Sequence, residues 1–555
     1  MSFAFPESTG FRSAAMLTKF GYVAEGIDMG HTRLFSIAQR ALALEGIAPT
    51  GPRALTRRQA LILGSAATIA ACAPLELDTP NGANIAIVGG GVAGLTIAYR
   101  LARAGKRATL YEASGRLGGR MFTKRDFNND GMFCELGGEL VDSNHAPLMS
   151  LAKELGVGIQ RLKPEEAAGE DVYAIGGHVH TEHEMLRAGK GAFLAIARQM
   201  AKDKAALTDA NDNWTARAHE LDRVSIAAYL AQFHGKAPAW VIDLLSLAYW
   251  GEYGIATDQQ SSLNLVDFMA PDPAGDFAMF GKSDEVSRIS GGSSALTDAL
   301  AARLGDAIVV KPLHALAGLS LESNRPRLSF KTNSGPVDAT YDAVALTLPF
   351  TKLREVAGLD GLGIDAMKLK SIRELGYGDN AKIMVGTTGR PWDSAAAHLP
   401  VRSSGEFYSS EFQVVWDTSR GQTGARGILT NFLTGTEDEG SALRRLQQGL
   451  RALSPAMADS LDTNNVASFF WARYPFARGS YSSAKVGQYT SLLEVAGTPE
   501  LAGRLHFAGE HTSPDFLGFM CGGVQSGERV AAALLAPKAA NAWPGPIRRV
   551  MAARA

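Results

Sequence analysis

From residue 84 onward the chain alternates short apolar runs with stretches of helical period. Ile85, Ala86, Ile87 and Val88 form a four-residue apolar run, the pattern of a strand covered on both faces. Behind it Leu95, Ala98, Leu101 and Ala102 recur at helical spacing, and Gly105 stands where such a helix ends. Ala108 to Tyr111 predict the next strand, closed by Glu112. Between the first strand and the helix lie Gly89, Gly91 and Gly94, a G-x-G-x-x-G. In this register the glycines predict a tight turn whose backbone can approach a pyrophosphate, with the first-turn N–H groups of the helix aimed at the phosphates. Glu112, about 20 residues further on, is placed to accept hydrogen bonds from ribose hydroxyls. A dinucleotide site is the first function that the residues imply.

The pattern continues in recognisable pieces. Leu148 to Leu155 reads as a helix. From about 163 to 285 the chain reads as mostly helical with loops, as in HEMLRAGKGAFLAIARQMAKDKAAL and VSIAAYLAQF. SGGSSALTDALAARLGDAIVV opens a helix after its glycines and leads into a strand at Ala307 to Val310. KPLHALAGLSLES, PRLSFKTNS and YDAVALTLPF follow as strands, and Ala381 to Thr387 begins another stretch that runs to about Tyr474. Near the end, Gly503 to Leu535 reads as a strand, a polar loop and a helix opened by glycines. No internal repeat is visible.

Three segments carry a resemblance. EASGRLGGR after the second strand, ELGGE at Glu135 to Glu139, and HFAGEHTSPDFLGFMCGGVQSGERVA resemble the flavin-containing amine oxidases, which include monoamine, polyamine and L-amino-acid oxidases. The resemblance runs from about Asn84 to Leu535. It implies FAD rather than NAD, because a nicotinamide enzyme has no use for the terminal GEHTS segment. The implied fold is α/β: a Rossmann-like FAD-binding domain assembled from discontinuous segments (84–162, 285–350 and 476–537) plus an α+β substrate domain (163–284 and 351–475) with a helical insertion over the substrate cavity. Carried over motif by motif, the resemblance places FAD on Gly89, Gly91, Val92, Ala93 and Gly94, and on Glu112, Ala113, Arg116, Gly119 and Arg120. It adds Leu136, Gly137, Gly138 and Glu139, the backbone at Ala315 beside the adenine edge, and Gly509, Glu510, Gly518, Phe519 and Met520.

The same resemblance implies three residues at the chemistry. Lys382, in GYGDNAKIMVG followed by Pro391-Trp392, matches the family lysine that holds a water beside flavin N5, where a fixed cation stabilises negative charge as electrons pass to O2. Tyr481, in WARYPFARGSYS, and Phe519, in GFMCGG, match the two aromatics that flank the substrate nitrogen. Ser480 stands where covalent monoamine oxidases carry a cysteine, so the FAD is expected to be noncovalent. Venom-type L-amino-acid oxidases carry an arginine two residues after the glycine pair, to clamp the substrate carboxylate. Here Gly137-Gly138 is followed by Glu139-Leu140, leaving Arg402 or Arg473 as sources of such a clamp and Glu139 as either a partner for a cationic substrate tail or a structural acid. The implied reaction oxidises the Cα–N bond of an amine or L-amino acid to an imine, with O2 reduced to H2O2. The alternatives are a desaturase or dehydrogenase that passes electrons to a quinone or protein carrier, and a flavoprotein that binds without turnover.

Composition changes this picture little. At 555 residues, 46% hydrophobic, 20% charged and with a net charge of −1, the chain is long enough for two or three domains. Its charge balance points to no polyanion, so no nucleic-acid partner is expected; a small amine, O2 and a second copy of the chain are compatible partners. The N-terminal stretch matters more. Thr56, Arg57 and Arg58 precede an apolar run from Ala60 to Ala71 that ends at Cys72, too short for the roughly 20 residues of a membrane span. A twin arginine ahead of such a run reads as a Tat-type signal within a leader at 1–73, predicting export of folded protein to the periplasm or medium. Ile69-Ala70-Ala71-Cys72 also resembles a lipoprotein box with a lipid anchor at Cys72, and cleavage after Ala73 competes with it. Residues 1–55 are long for a leader, so a start near Met29 is expected, and 538–555 reads as a loose tail. Cys134 and Cys521 are expected as buried thiols, with a disulfide as the alternative, and no C-x-x-C or His/Cys cluster calls for a metal.

Overall fold

The structure, a computed structural model, describes residues 84–162, 169–175, 178–267, 285–435 and 438–536. The leader at 1–73 with its twin arginine and Cys72, and the tail at 538–555, lie outside the described residues.

Two sheets position the site. A five-stranded sheet runs in the order Ile308–Lys311, Ala108–Tyr111, Ile85–Val88, Ala343–Leu346, Leu505–Phe507, with every pair parallel. Ile85–Val88 is buried along its whole length because both faces are covered. On one face pack the helices Val92–Arg103, Ser294–Ala301 and Met520–Leu535, through side chains such as Leu95, Leu296 and Val524. On the other lies an antiparallel meander, Ala315–Glu322, Arg325–Thr332 and Gly335–Thr340, with Phe350 and Leu353. The chain runs outward in opposite directions from the neighbours Ile85–Val88 and Ala343–Leu346, so their C-terminal ends open the crevice where parallel sheets bind ligands.

The second sheet has seven strands in the order Leu461–Phe470, Ala381–Thr387, Gly427–Leu433, Gln413–Asp417, Ser403–Ser409, Glu170–Ile175, His178–Thr181. Only the pairing of Ser403–Ser409 with Glu170–Ile175 is parallel. All of Ala381–Thr387 is buried, Lys382 included. Helices Glu182–Ala205 and Ala239–Tyr253 pack beside this sheet around Phe193, Tyr249 and Tyr408. The first of them starts in a capping box, Thr181 accepting from the Glu184 N–H while the Glu184 carboxylate accepts from the Thr181 N–H.

Among its described residues the stretch from 163 to 285 is mostly helical, as expected, with one addition at its start. Glu170–Ile175 and His178–Thr181 form a hairpin that extends the seven-stranded sheet. Its stability comes from pairing with Ser403–Ser409, far away in sequence, which a local pattern does not contain. Cys134 and Cys521 are separate buried thiols rather than a disulfide, and burial pushes both thiols up. Among the described residues no helix is long and apolar enough to cross a membrane.

Candidate active site

One cavity runs from the glycine turn to the seven-stranded sheet. Counted out to its open mouth, solvent included, it spans about 1630 Å³. One end is built of backbone. Gly89 takes a φ of +112°, and a Cβ on Gly94 would stand 2.0 Å from the Gly89 carbonyl oxygen, so the helix Val92–Arg103 can start this close to the strand only with glycine there. That helix has no side-chain cap and no acid in its first turn, and Val92 and Ala93 line the cavity. Met520–Leu535 begins in the same way, with Met520 and Gly523 on the cavity wall. Two uncapped helix N-termini therefore open on one space, an arrangement suited to phosphate.

Side chains brace this end. The Glu112 carboxylate accepts from the Gly90 N–H at 2.8 Å, the Ser114 N–H at 2.8 Å and the Ser114 hydroxyl at 2.7 Å. The Arg116 guanidinium lies 3.7 Å over the Phe122 ring and donates to the Gly119 carbonyl. Arg120 donates to the Ser480 carbonyl at 2.7 Å and to Glu510 at 2.9 Å. Glu510 also accepts from the Ser482 hydroxyl and the Gly518 N–H. Burial alone would raise the Glu510 carboxyl, but Arg120 and these donors hold it below the usual carboxylate range.

The other end is built of side chains. Lys382 Nζ donates to Glu139 Oε2 at 2.7 Å, and both groups are buried. Trp416 Nε1 and the Thr418 hydroxyl donate to Glu139 Oε1 at 3.1 and 3.4 Å. Against the upward push of burial, Lys382 and then Trp416 hold the Glu139 carboxyl low. The Tyr481 hydroxyl donates to the Glu252 carbonyl, and burial, reinforced by the charges of Glu252, Glu285 and Glu510, pushes that hydroxyl well above the usual tyrosine range. The Phe519 ring meets His145 edge-on at 4.8 Å, and burial holds His145 neutral, pushed down to about 3. Lys382, Tyr481 and Phe519 line the cavity together with Asp142, Glu285 and Asn380. Trp471, whose Nε1 donates to the Leu136 carbonyl, and Tyr474 form a further wall, and the half-exposed Phe476 stands at the mouth.

The family profile described as "Flavin containing amine oxidoreductase" matches residues 92–535, from the first helix of the nucleotide end to the end of the terminal helix. The chain belongs to this family. It is 26% identical over 483 residues to "Putative L-amino-acid oxidase YobN" of Bacillus subtilis (strain 168), covering 81% of this chain and 94% of that protein. It is 28% identical over 509 residues to the human peroxisomal N(1)-acetyl-spermine/spermidine oxidase, covering 82% and 96%. Among solved structures it resembles wild-type putrescine oxidase bound to putrescine (TM-score 0.65, 21% identity, 82% of this chain and 99% of that one). It also resembles cyclohexylamine oxidase from Brevibacterium oxydans IH-35A (TM-score 0.68, 18% identity, 82% and 98%). At these identities the structural likeness is one of fold. The protein is an FAD-dependent oxidoreductase acting on amines.

The cavity of this flavin-containing amine oxidoreductase fits FAD on its own geometry. A Cβ on Gly119 would stand 3.0 Å from the Gly91 Cα, and one on Gly138 2.7 Å from Met520, so its walls close in where only glycine leaves room. Of the residues expected to touch FAD, all but three line the cavity. Gly94 stands behind the turn, where its missing side chain admits the helix. Leu136 is buried, its carbonyl taken by Trp471. Ala315 opens the meander, paired with Lys331, off the cavity wall. Ser480, at the position of the covalent cysteine, lines the cavity and donates to Asn380 at 2.6 Å.

Two substrate readings narrow. Glu139 accepts from Lys382, Trp416 and Thr418, which favours the structural acid of its two expected roles. Arg402 and Arg473 are both off the cavity wall, Arg473 lying 4.5 Å over the Phe470 ring, so neither supplies a carboxylate clamp there. Asp142, Glu285, Trp416 and Trp471 belong to the wall without having been singled out in sequence. Trp471 opens the WARYPFARGSYS segment that marked Tyr481, the other three are lone residues, and only the fold brings the four together.

Proposed function

We propose that the protein oxidises the Cα–N bond of an amine lacking an α-carboxylate to an imine, reduces O2 to hydrogen peroxide, and works outside the cytoplasm after export in the folded state. One juxtaposition carries this reading: Lys382, Tyr481 and Phe519, from three separate stretches, share a cavity with the glycine turn and two helix N-termini. The two helix N-termini would hold the phosphates of FAD and Glu112 its ribose, and the bound flavin would supply the hydride acceptor and the reductant for O2. The chain's own residues do the rest. Tyr481 and Phe519 bound the reacting end, exclude water and orient the substrate nitrogen. Lys382 provides a fixed positive charge where negative charge develops.

Electrostatics favours an amine over an amino acid. Glu285 and Asp142 line the wall, and the charge of Glu252 acts on Tyr481 from behind it. The cavity arginines are committed at the nucleotide end, Arg116 to the Gly119 carbonyl and Arg120 to Ser480 and Glu510. An acidic wall attracts an ammonium, which must lose its proton to water before its Cα–H can leave as hydride. No side-chain base is then needed, and the imine is hydrolysed by water to a carbonyl compound and ammonia or a smaller amine. Export is supported by Arg57-Arg58 ahead of the apolar run at Ala60–Ala71.

The test is peroxide release against primary amines, polyamines and the twenty L-amino acids. Turnover of amines alone is expected, and turnover confined to amino acids sinks the substrate reading. If amines bleach the flavin anaerobically but O2 yields no peroxide, the electrons go to a quinone or protein carrier instead. For export, Arg57→Lys with Arg58→Lys should strand folded, yellow protein in the cytoplasm, and Cys72→Ser should release it from membranes only if it is lipid-anchored.

A further inference from the structure

Glu139 is the residue at which sequence and geometry part. It stands on the loop after Gly137-Gly138, and that loop is pinned to the nucleotide end. The Gly138 N–H donates to the Arg120 carbonyl at 3.0 Å, and a Cβ on Gly137 would stand 1.9 Å from that same oxygen. Lys382 stands on a wholly buried strand of the other sheet. The 2.7 Å contact between them therefore joins two separately built walls of the cavity. Around the pair stand the Trp416 indole, its ring centroid 5.0 Å from Lys382 Nζ, the Thr418 hydroxyl, which bonds Thr430, and the buried Arg288, Glu135 and Cys134. A lysine ammonium is compact and strongly hydrated, and burial favours its neutral form unless an anion sits within hydrogen-bond reach. Glu139 is that anion.

We infer that Glu139 is the positioning residue of Lys382: its carboxylate keeps the lysine ammonium charged and aimed along the cavity wall, and Glu139 itself never meets the substrate. The inference rests on the reading above that places Lys382 at the chemistry. It makes the two residues one unit. The site then feels an oriented ion pair rather than an isolated cation.

The test uses the flavin-loaded enzyme with Glu139→Gln, Glu139→Asp, Lys382→Met and the double variant Glu139→Gln/Lys382→Met. In Glu139→Gln the lysine lacks its counter-ion, so its folded value falls below the unfolded value of about 10.4. Between the two values the unfolded chain binds more protons, so stability rises with pH in that window. Glu139→Gln should unfold at a lower temperature than wild type at pH 7. Its deficit in the unfolding constant should shrink, by at most about tenfold per pH unit, as pH rises towards 10. The double variant should be more stable than Glu139→Gln at pH 7 and show no such slope. Reoxidation by O2 should fall with rising pH in Glu139→Gln through the same step, and Glu139→Asp should restore part of the wild-type profile. A pH-independent stability deficit in Glu139→Gln overturns the inference. So does a double variant less stable than Glu139→Gln by the full loss seen in Lys382→Met alone. If Lys382→Met leaves reoxidation unchanged while the stability pattern holds, the oxygen role of the lysine fails and the positioning role of Glu139 stands.

Discussion

The two ends of the cavity are made of different material. The nucleotide end is main chain, with glycines where a side chain would collide and two helices that start without a cap. The amine end is side chain, with Lys382, Glu139, Trp416, Tyr481 and Phe519 drawn from separate segments between residues 139 and 519. A backbone site tolerates little change because its shape is the fold. A side-chain site can be altered residue by residue while the fold stands. Mutations at the first end should therefore remove the holoprotein, and mutations at the second should change rates and pH profiles in a protein that remains yellow.

The largest effect should come from Gly94→Ala, whose Cβ would stand 2.0 Å from the Gly89 carbonyl. Loss of nearly all flavin-loaded protein on purification is expected, and recovery of a normal flavin content would break the comparison at its backbone end. Next is Lys382→Met, expected to slow reoxidation by O2 by roughly 10²–10³-fold, the loss typical of one preorganised charge, while anaerobic flavin reduction by substrate changes far less. Stopped-flow measurement of the two half-reactions decides it, and equal slowing of both would make the lysine structural. Glu112→Ala should weaken FAD binding by about 1.5–3 kcal/mol, the range for hydrogen bonds to a charged group, read by titrating flavin-free protein with FAD. It is a side chain at the backbone end, so an effect as large as that of Gly94→Ala would blur the distinction. At the amine end, kcat/KM should rise up to about tenfold per pH unit below the substrate amine's own pKa, because the neutral amine reacts. A flat profile would call for a base in the wall.

An effect on stability rather than on cofactor or rate concerns Glu135, which accepts from the Ser293 N–H and hydroxyl, both at 2.7 Å, and whose carboxyl burial pushes up to about 7. A carboxyl raised above its unfolded value of about 4.3 contributes stability at low pH that is lost as pH climbs through 7. Glu135→Gln should remove that decline, so thermal midpoints of wild type and variant should diverge between about pH 4.5 and 7. Parallel curves would show that Glu135 stays charged throughout.

The same division explains what could be read in the chain. Strand, turn, helix and acid from Ile85 to Glu112 are contiguous, and each obeys a local rule, so they were legible from spacing alone. Lys382 is one lysine in an apolar strand, and only the resemblance of its surroundings marked it. Glu139 was visible as a departure from the L-amino-acid oxidase pattern, but its partner is 243 residues away and no spacing rule connects them. Asp142 and Glu285 gave no signal, because their meaning lies in the Asp142 carboxylate accepting from the Glu285 N–H at 2.9 Å beside the cavity. The hairpin at 170–181 was lost for a related reason, since its partner strand begins at Ser403.

The order of strands also dictates when the flavin site can exist. Arg120 and Glu510, which brace the nucleotide end, are 390 residues apart, and the sheet's last strand and the second uncapped helix at the cavity come from the final tenth of the described chain. At roughly 5–20 residues per second of synthesis, that separation amounts to about 20–80 s. Throughout it, the helix Val92–Arg103 has left the ribosome without the helix that covers its Val92, Ala93 and Thr96 side. Contacts of such span make folding slow, because chain-closure entropy is lost before any pairing compensates it. The nascent chain must therefore be shielded from aggregation until the helix Met520–Leu535 arrives, and the complete site can close on the cofactor only after that helix has been made.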